Sequence, residues 1–246
     1  MDRLLLVARR LTIAVAAMVA CASLGSAADP VRAPLVVELF TSQGCSSCPP
    51  ADRLLGELAK RPDVIALSFH VNYWDRLGWK DPFAGEATTA RQHGYARALA
   101  QSYVYTPEMV VNGVVHDPGN SPGSVSRLLA QGTARGKLVV QPVVKSAADK
   151  SLVISLPAWR DAPAALDVWL VTYDAAHTTK VLHGENRGET LVNRHVVRSV
   201  EKLAVWNGAA ASWTVGQTAR SVAVLVQRRD FGPIVGAARW DSAAAD

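Results

Sequence analysis

Leu35-Val36-Val37-Glu38-Leu39-Phe40-Thr41-Ser42-Gln43-Gly44-Cys45-Ser46-Ser47-Cys48-Pro49-Pro50 sets two thiols two residues apart where an apolar strand gives way to a helix. After it, Ala51, Leu54, Leu55 and Leu58 recur at i, i+3, i+4 and i+7, the stripe of an amphipathic helix. Cys45 therefore stands at a helix N-terminus, where unpaired N–H groups and the helix dipole favour thiolate over thiol. A Cys-x-x-Cys in that setting is a dithiol able to cycle with a disulfide.

Compartment decides whether such a pair meets an oxidant. Arg3, Arg9 and Arg10 precede an uncharged apolar run, Leu11 to Leu24, and then the small residues Gly25-Ser26-Ala27-Ala28. That order is a secretory signal peptide over residues 1–28, cleaved after Ala28, with an uncleaved anchor as the alternative. It implies export across the inner membrane to the periplasm, and the membrane is then met only through this segment if it stays attached. The whole chain has 26 Lys+Arg, 21 Asp+Glu and a net charge of +5. The signal takes three Arg and one Asp, so the mature chain is left at +3. No basic run with interleaved aromatics marks a nucleic-acid surface. Cys21 leaves with the signal, so Cys45 and Cys48 are the remaining two of 3 cysteines. A disulfide between them closes so short a loop that its entropic contribution to stability is small. Chemistry is the better reason for the pair.

From residue 35 to residue 135 the pattern is β-α-β-α-β-β-α. Strands are expected at Leu35–Phe40, Val64–Val71, Met109–Val111 and Val114–His116, with helices at Pro49–Ala59, Glu86–Ser102 and from Ser121-Pro122 onward. Asn112-Gly113 is a hairpin turn signal between the last two strands. From Lys137 the period becomes two, and Leu138–Lys145, Ser151–Leu156, Ala165–Tyr173, Thr190–Val200 and Ser221–Gln227 read as strands of a β-sandwich.

Residues 35–135 resemble the thioredoxin fold in three features: the first strand, the Cys-x-x-Cys at a helix start, and Thr106-Pro107 before the third strand. More closely, the chain resembles an uncharacterised family of bacterial secreted thioredoxin-like proteins with a Cys-Ser-Ser-Cys motif. The resemblance is carried by Val37 to Pro50, His70-Val71-Asn72-Tyr73-Trp74-Asp75, Leu77-Gly78-Trp79, Tyr105 to Gly113, Gly184-Glu185-Asn186-Arg187-Gly188 and Val196-Val197-Arg198. Asn72 and Glu108 stand where it leads one to expect Asp and Gln. It implies an α/β thioredoxin-like domain at 29–135, followed by an all-β sandwich-like domain at 136–246. It also implies a cis Pro107 packed on Cys45, with the backbone at Thr106 open to an extended substrate peptide.

The expected activity is thiol–disulfide exchange on protein or small-molecule thiols and disulfides, with a redox partner that the sequence does not name and no cofactor. Cys45 is the expected nucleophile, nearer the exposed helix end, and Cys48 the resolving thiol. A proton shuttle is sought at Glu38 or His70, although the strand register turns Glu38 to the opposite face. Trp74 and Trp79, in the loop leaving the second strand on the Cys-x-x-Cys side, form a candidate apolar wall for substrate. The turn at Gly184–Gly188 is expected either to serve as a simple turn or to contact the redox face. Two other classes remain: a binding module with a structural disulfide, and Cu(I) or zinc handling by the thiols with His70. For the latter, the sequence offers no second ligand pair. No Gly-x-Ser-x-Gly, His-Glu-x-x-His or Gly-x₄-Gly-Lys supports a hydrolase or nucleotide site.

Overall fold

Between residues 34 and 135 a computed structural model contains, besides a single 3-10 turn at Asp75–Leu77, the strands and helices β1 Leu35–Thr41, α1 Pro49–Ala59, β2 Val64–His70, α2 Glu86–Ala98, β3 Glu108–Val111, β4 Val115–Asp117 and α3 Pro122–Arg135. The structure describes residues 34–242. The signal-peptide reading of residues 1–28, with Cys21, lies outside the described residues.

Local chemistry accounts for these elements. β2 is buried along its whole length, which its continuous apolar run requires. Pro49 and Pro50 open α1, where their missing N–H groups leave nothing unpaired. Ser121 caps α3, its Oγ accepting from the Ser124 N–H at 3.2 Å. Asn112 and Gly113 take φ values of 50° and 66°, the conformation a tight turn between β3 and β4 needs. Gly94 lies mid-helix in α2 because the Phe231 ring rests on it, and a Cβ there would collide with that ring.

The expected division into a thioredoxin-like α/β domain and a separate β-sandwich is overturned. The remaining strands are β5 Val143–Ser146, β6 Leu152–Leu156, β7 Leu166–Lys180, β8 Thr190–Trp206, β9 Ala211–Val215, β10 Ser221–Arg228 and β11 Ile234–Trp240. Eight strands from both halves of the chain form one mixed sheet, in the order β11-β10-β7-β8-β2-β1-β3-β4, and β5-β6-β9 form a second, three-stranded sheet. Among the described residues strands take 41% and helices 20%, so the architecture is mostly β.

The join is β8, which lies parallel to β2 with Ser68 opposite Val196. Alternation marks a strand as half-buried but does not say which edge it will join. β7 and β8 also run to 15 and 17 residues, well past the expected spans, with bulges at Val168/Trp169 and Thr172/Tyr173. The expected strand at Leu138–Lys145 forms only from Val143, and β9 and β11 were not anticipated.

One core, through Phe40, Phe69, Tyr95, Tyr173, Val197 and Leu225, runs unbroken beneath strands from both halves of the chain. On the other face α1 and α3 cover Val37, Leu39, Met109 and Val111. The three-stranded sheet packs Leu152 and Ile154 against Val168 and Val224 of the large sheet.

Candidate functional site

Cys45 and Cys48 are joined as a disulfide at the start of α1, with Cα atoms 5.5 Å apart. The loop leading from β1 is shaped by its own small polar residues. Ser42 accepts from the Gly44 N–H through Oγ at 3.0 Å and from the Cys45 N–H through its carbonyl at 3.1 Å. Cys48 is the residue immediately before the helix, and its carbonyl accepts from the N–H groups of Ala51 (2.9 Å) and Asp52 (3.1 Å).

Both cysteines are buried, Cys45 at 1% exposure and Cys48 at 0%. The expected exposure of Cys45 is thus corrected: segments remote in sequence cover it. The Thr106–Pro107 peptide is cis, and the Thr106 carbonyl oxygen lies 3.7 Å from Cys45 Sγ. Trp74 is half-buried beside them and donates its indole N–H to Thr106 Oγ1 at 2.7 Å. Its Cβ comes so near Gly44 that a side chain at 44 would meet it at 3.2 Å. Trp79 sits on the opposite flank and donates to Gln43 Oε1 at 3.1 Å. Pro107, Thr106, Trp74 and Trp79 therefore gather around the dithiol loop.

Gln43, between β1 and the cysteines, is the hub of this packing. Its N–H donates to Asp81 Oδ2 (2.8 Å), and its side-chain amide donates to Asn193 Oδ1 (3.0 Å). The turn Gly184–Gly188 between β7 and β8 reaches the dithiol loop. Glu185 Oε2 accepts from both the N–H (3.0 Å) and the hydroxyl (2.8 Å) of Ser46, and Asn186 donates to the carbonyls of Gln43 (3.0 Å) and Cys45 (2.9 Å).

Beneath the loop lies a buried titratable cluster. His70, at the end of β2, holds Asp81 Oδ2 at 2.7 Å through Nδ1, with both side chains fully buried. Burial works against the charge on His70, but Asp81 outweighs it and holds the imidazolium above its ordinary range. Burial likewise opposes ionisation of Asp81, yet His70 and the N–H groups of Gln43 and Phe83 keep its carboxyl below the usual value. Asp52, one turn into α1 from Cys48 and on its buried face, is pushed up to about 6 by burial, against the nearby charge of His70. Thr41 and Asn193 flank it, but Asp52 Oδ1, Thr41 Oγ1 and His70 Nε2 make no well-formed hydrogen bond among the described residues.

Glu38 lies elsewhere. On the opposite face of the sheet it meets Arg91 through two contacts, at 2.5 and 3.1 Å, and accepts from the Tyr95 hydroxyl. A direct part for Glu38 in proton transfer with Cys48 has no geometric support. The residues that the sequence did not single out are Asp52, Asp81 and Asn193, whereas Glu185 and Asn186 belong to the Gly184–Gly188 turn whose contact with the dithiol loop was one of its two expected roles. An acid in the first turn of a helix is an ordinary dipole partner, and only the arrival of β8 over it makes Asp52 unusual. Among the described residues, no three of His, Cys, Asp and Glu converge as a metal-ligand set.

Comparison with known proteins gives a family without a chemistry. A crystal structure of a protein from Agrobacterium tumefaciens, a structural-genomics target, is 32% identical and superposes with a TM-score of 0.75, over 87% of this chain and 97% of that one. No curated protein matches significantly. The family model described as "Protein of unknown function (DUF1223)" matches residues 36–227, so by far the greater part of the described molecule, dithiol loop included, is family sequence and the chain belongs to DUF1223.

Proposed function

We propose that the protein is an exported thiol–disulfide oxidoreductase acting through Cys45 and Cys48. The observation that carries this reading is the setting of the pair. A disulfide of sequence separation 3 lies at a helix start, with a buried carboxyl whose Oδ1 is unpaired one turn below it. So short a loop contributes little stability, whereas a buried acid near a resolving thiol has a direct chemical use.

In the oxidised protein a substrate thiolate attacks Cys45 Sγ. The Cys45–Cys48 bond breaks, a mixed disulfide forms, and the Cys48 sulfur leaves as a thiolate that takes a proton from the Asp52 carboxyl. A second substrate thiolate then releases Cys45 as a thiolate and leaves as part of a substrate disulfide. Two electrons have passed to the protein. In the other direction the ionised Asp52 accepts the Cys48 proton, the Cys48 thiolate attacks the mixed disulfide at Cys45, and the substrate leaves reduced. His70 and Asp81 keep a fixed charge pair beside Asp52 and set its readiness to ionise. Trp74 and the Thr106–Pro107 segment flank the sulfur that meets substrate.

Equilibration with glutathione tests the reading. A reduction potential between about −270 and about −120 mV supports exchange, and one below about −300 mV overturns it. In cells, Cys48→Ala should accumulate mixed disulfides through Cys45, and their identity would give the substrate. Burial of both sulfurs favours a second reading, a binding module with a structural disulfide. That reading predicts the lower potential and no trapped species.

A further inference from the structure

We propose that the Glu185–Ser46 contact is a redox-coupled clasp, closed over the Cys45–Cys48 disulfide and displaced when Cys45 becomes a thiolate. The inference rests on the exchange chemistry proposed for Cys45 and adds a regulation of that same site.

The clasp is built on a short, well-braced turn. Gly188 N–H donates to the Val181 carbonyl at 2.9 Å and Arg187 N–H to the Gly184 carbonyl at 3.2 Å, closing the end of the β7–β8 hairpin. From that base Glu185 seizes both donors of Ser46 with one oxygen, and Asn186 holds the carbonyl of Cys45. The peptide group that joins Cys45 to Ser46 is therefore held at both its carbonyl and its N–H. The two grips differ in kind: the Asn186 amide is neutral and buried, whereas the Glu185 carboxylate is charged and exposed.

The charge matters because of what the dithiol becomes. As a disulfide the pair is neutral, and the Ser46 N–H at the mouth of α1 is free to serve a carboxylate. Once Cys45 ionises, a second anion sits one residue from the Ser46 donors that hold that carboxylate, and both draw on the same few donors at the helix start. Like charges held this close disfavour each other. Among the described residues no cation acts measurably on Glu185, its exposed turn neighbours His183 and Arg187 included. Asp81 and His70 neutralise each other beneath the loop, Asp52 adds no positive charge, and Arg53 of α1 lies with Pro49 and Asp52 along a cleft next to β8. Coupling of this type is reciprocal: the thiolate loosens Glu185 from Ser46, and Glu185 holds back formation of the thiolate. The disulfide is thereby shielded, and the reduced site opens towards its next partner.

Two measurements on the full-length chain test the clasp without any substrate disulfide. The first follows the side-chain carboxyl of Glu185 by NMR through a pH titration of the oxidised and the reduced protein. Glu185 should titrate at higher pH in the reduced state. The second compares alkylation of Cys45 by iodoacetamide in Cys48→Ala and in Cys48→Ala with Glu185→Gln. The glutamine variant should react about fivefold faster below neutral pH, with the gain fading towards 1 M salt. Identical titration of Glu185 in the two states, or identical alkylation of the two variants at every pH, overturns the clasp. Glu185 is exposed, so the glutamine variant is expected to fold, and the titration needs no variant at all. A dithiol that resists glutathione while both measurements come out as expected removes the exchange reading and leaves the clasp standing.

Discussion

Asp52 is placed so that its own ionisation works against the fold. Its carboxyl is raised from 3.8 to about 6, chiefly by burial. The native state therefore holds this proton more tightly than the unfolded chain does. Its contribution to stability is fully present below about pH 4 and is lost as pH rises through about 6. A shift of that size corresponds to on the order of 3 kcal/mol. Asp52→Asn should accordingly raise the free energy of unfolding at pH 7 by about that amount and leave it unchanged near pH 4, as read by urea denaturation across a pH series. The same variant should slow resolution of the mixed disulfide. Parallel stability profiles for the two proteins would mean that the carboxylate is solvated and cannot serve as the acceptor. At this scale the cysteines were legible and the acid was not. Cys-x-x-Cys before a helix carries its meaning in four residues, whereas Asp52 acquires its meaning from Asn193 and His70, which lie far away in sequence.

Secondary structure was largely legible, because it follows from local pattern. Proline at the start of α1, serine before α3 and Asn-Gly between β3 and β4 each act through neighbours a few residues away. What could not be read was the sheet to which each strand belongs. β8 alternates as any half-buried strand does, and nothing in that alternation says that Val196 will lie beside Ser68. The β7–β8 hairpin also does something no strand pattern encodes, since its turn reaches the dithiol loop. Asn186→Ala tests that contact. It leaves the carbonyls of Gln43 and Cys45 without their amide donor and should cost about 1–3 kcal/mol of stability. Hydrogen exchange should show faster opening confined to the segment around Gln43–Cys48. An equal rise throughout β1 and β2 would make the contact a general brace instead of a local clamp.

For the molecule as a whole, the network around Arg91 ties three parts of the chain into one core. The guanidinium is buried between Glu38 of β1, Tyr95 of α2 and Gln227 of β10, with the rings of Phe69, Tyr95, Trp169 and Phe231 within 6 Å. Glu38→Ala strands that cation in an apolar interior and should destabilise the protein by about 3–5 kcal/mol. The reduction potential of the dithiol should stay at its original value, because the network lies on the opposite face of the sheet. A changed potential at unchanged stability would restore Glu38 to the redox site. The parallel join between β2 and β8 has its own consequence for how the chain comes together. Ser68 and Val196 pair across 128 positions of sequence, so closing the centre of the sheet carries a larger loop-closure cost than the local pairings, and the expectation is that it closes late. Until then β2 carries an open edge, and Gln43, Cys45 and Ser46 lack the residues around β8 that later cover them. A chain in which β8 has not yet joined β2 therefore leaves the two sulfurs without the Glu185 and Asn186 contacts, and the timing of that one pairing sets when this cover arrives.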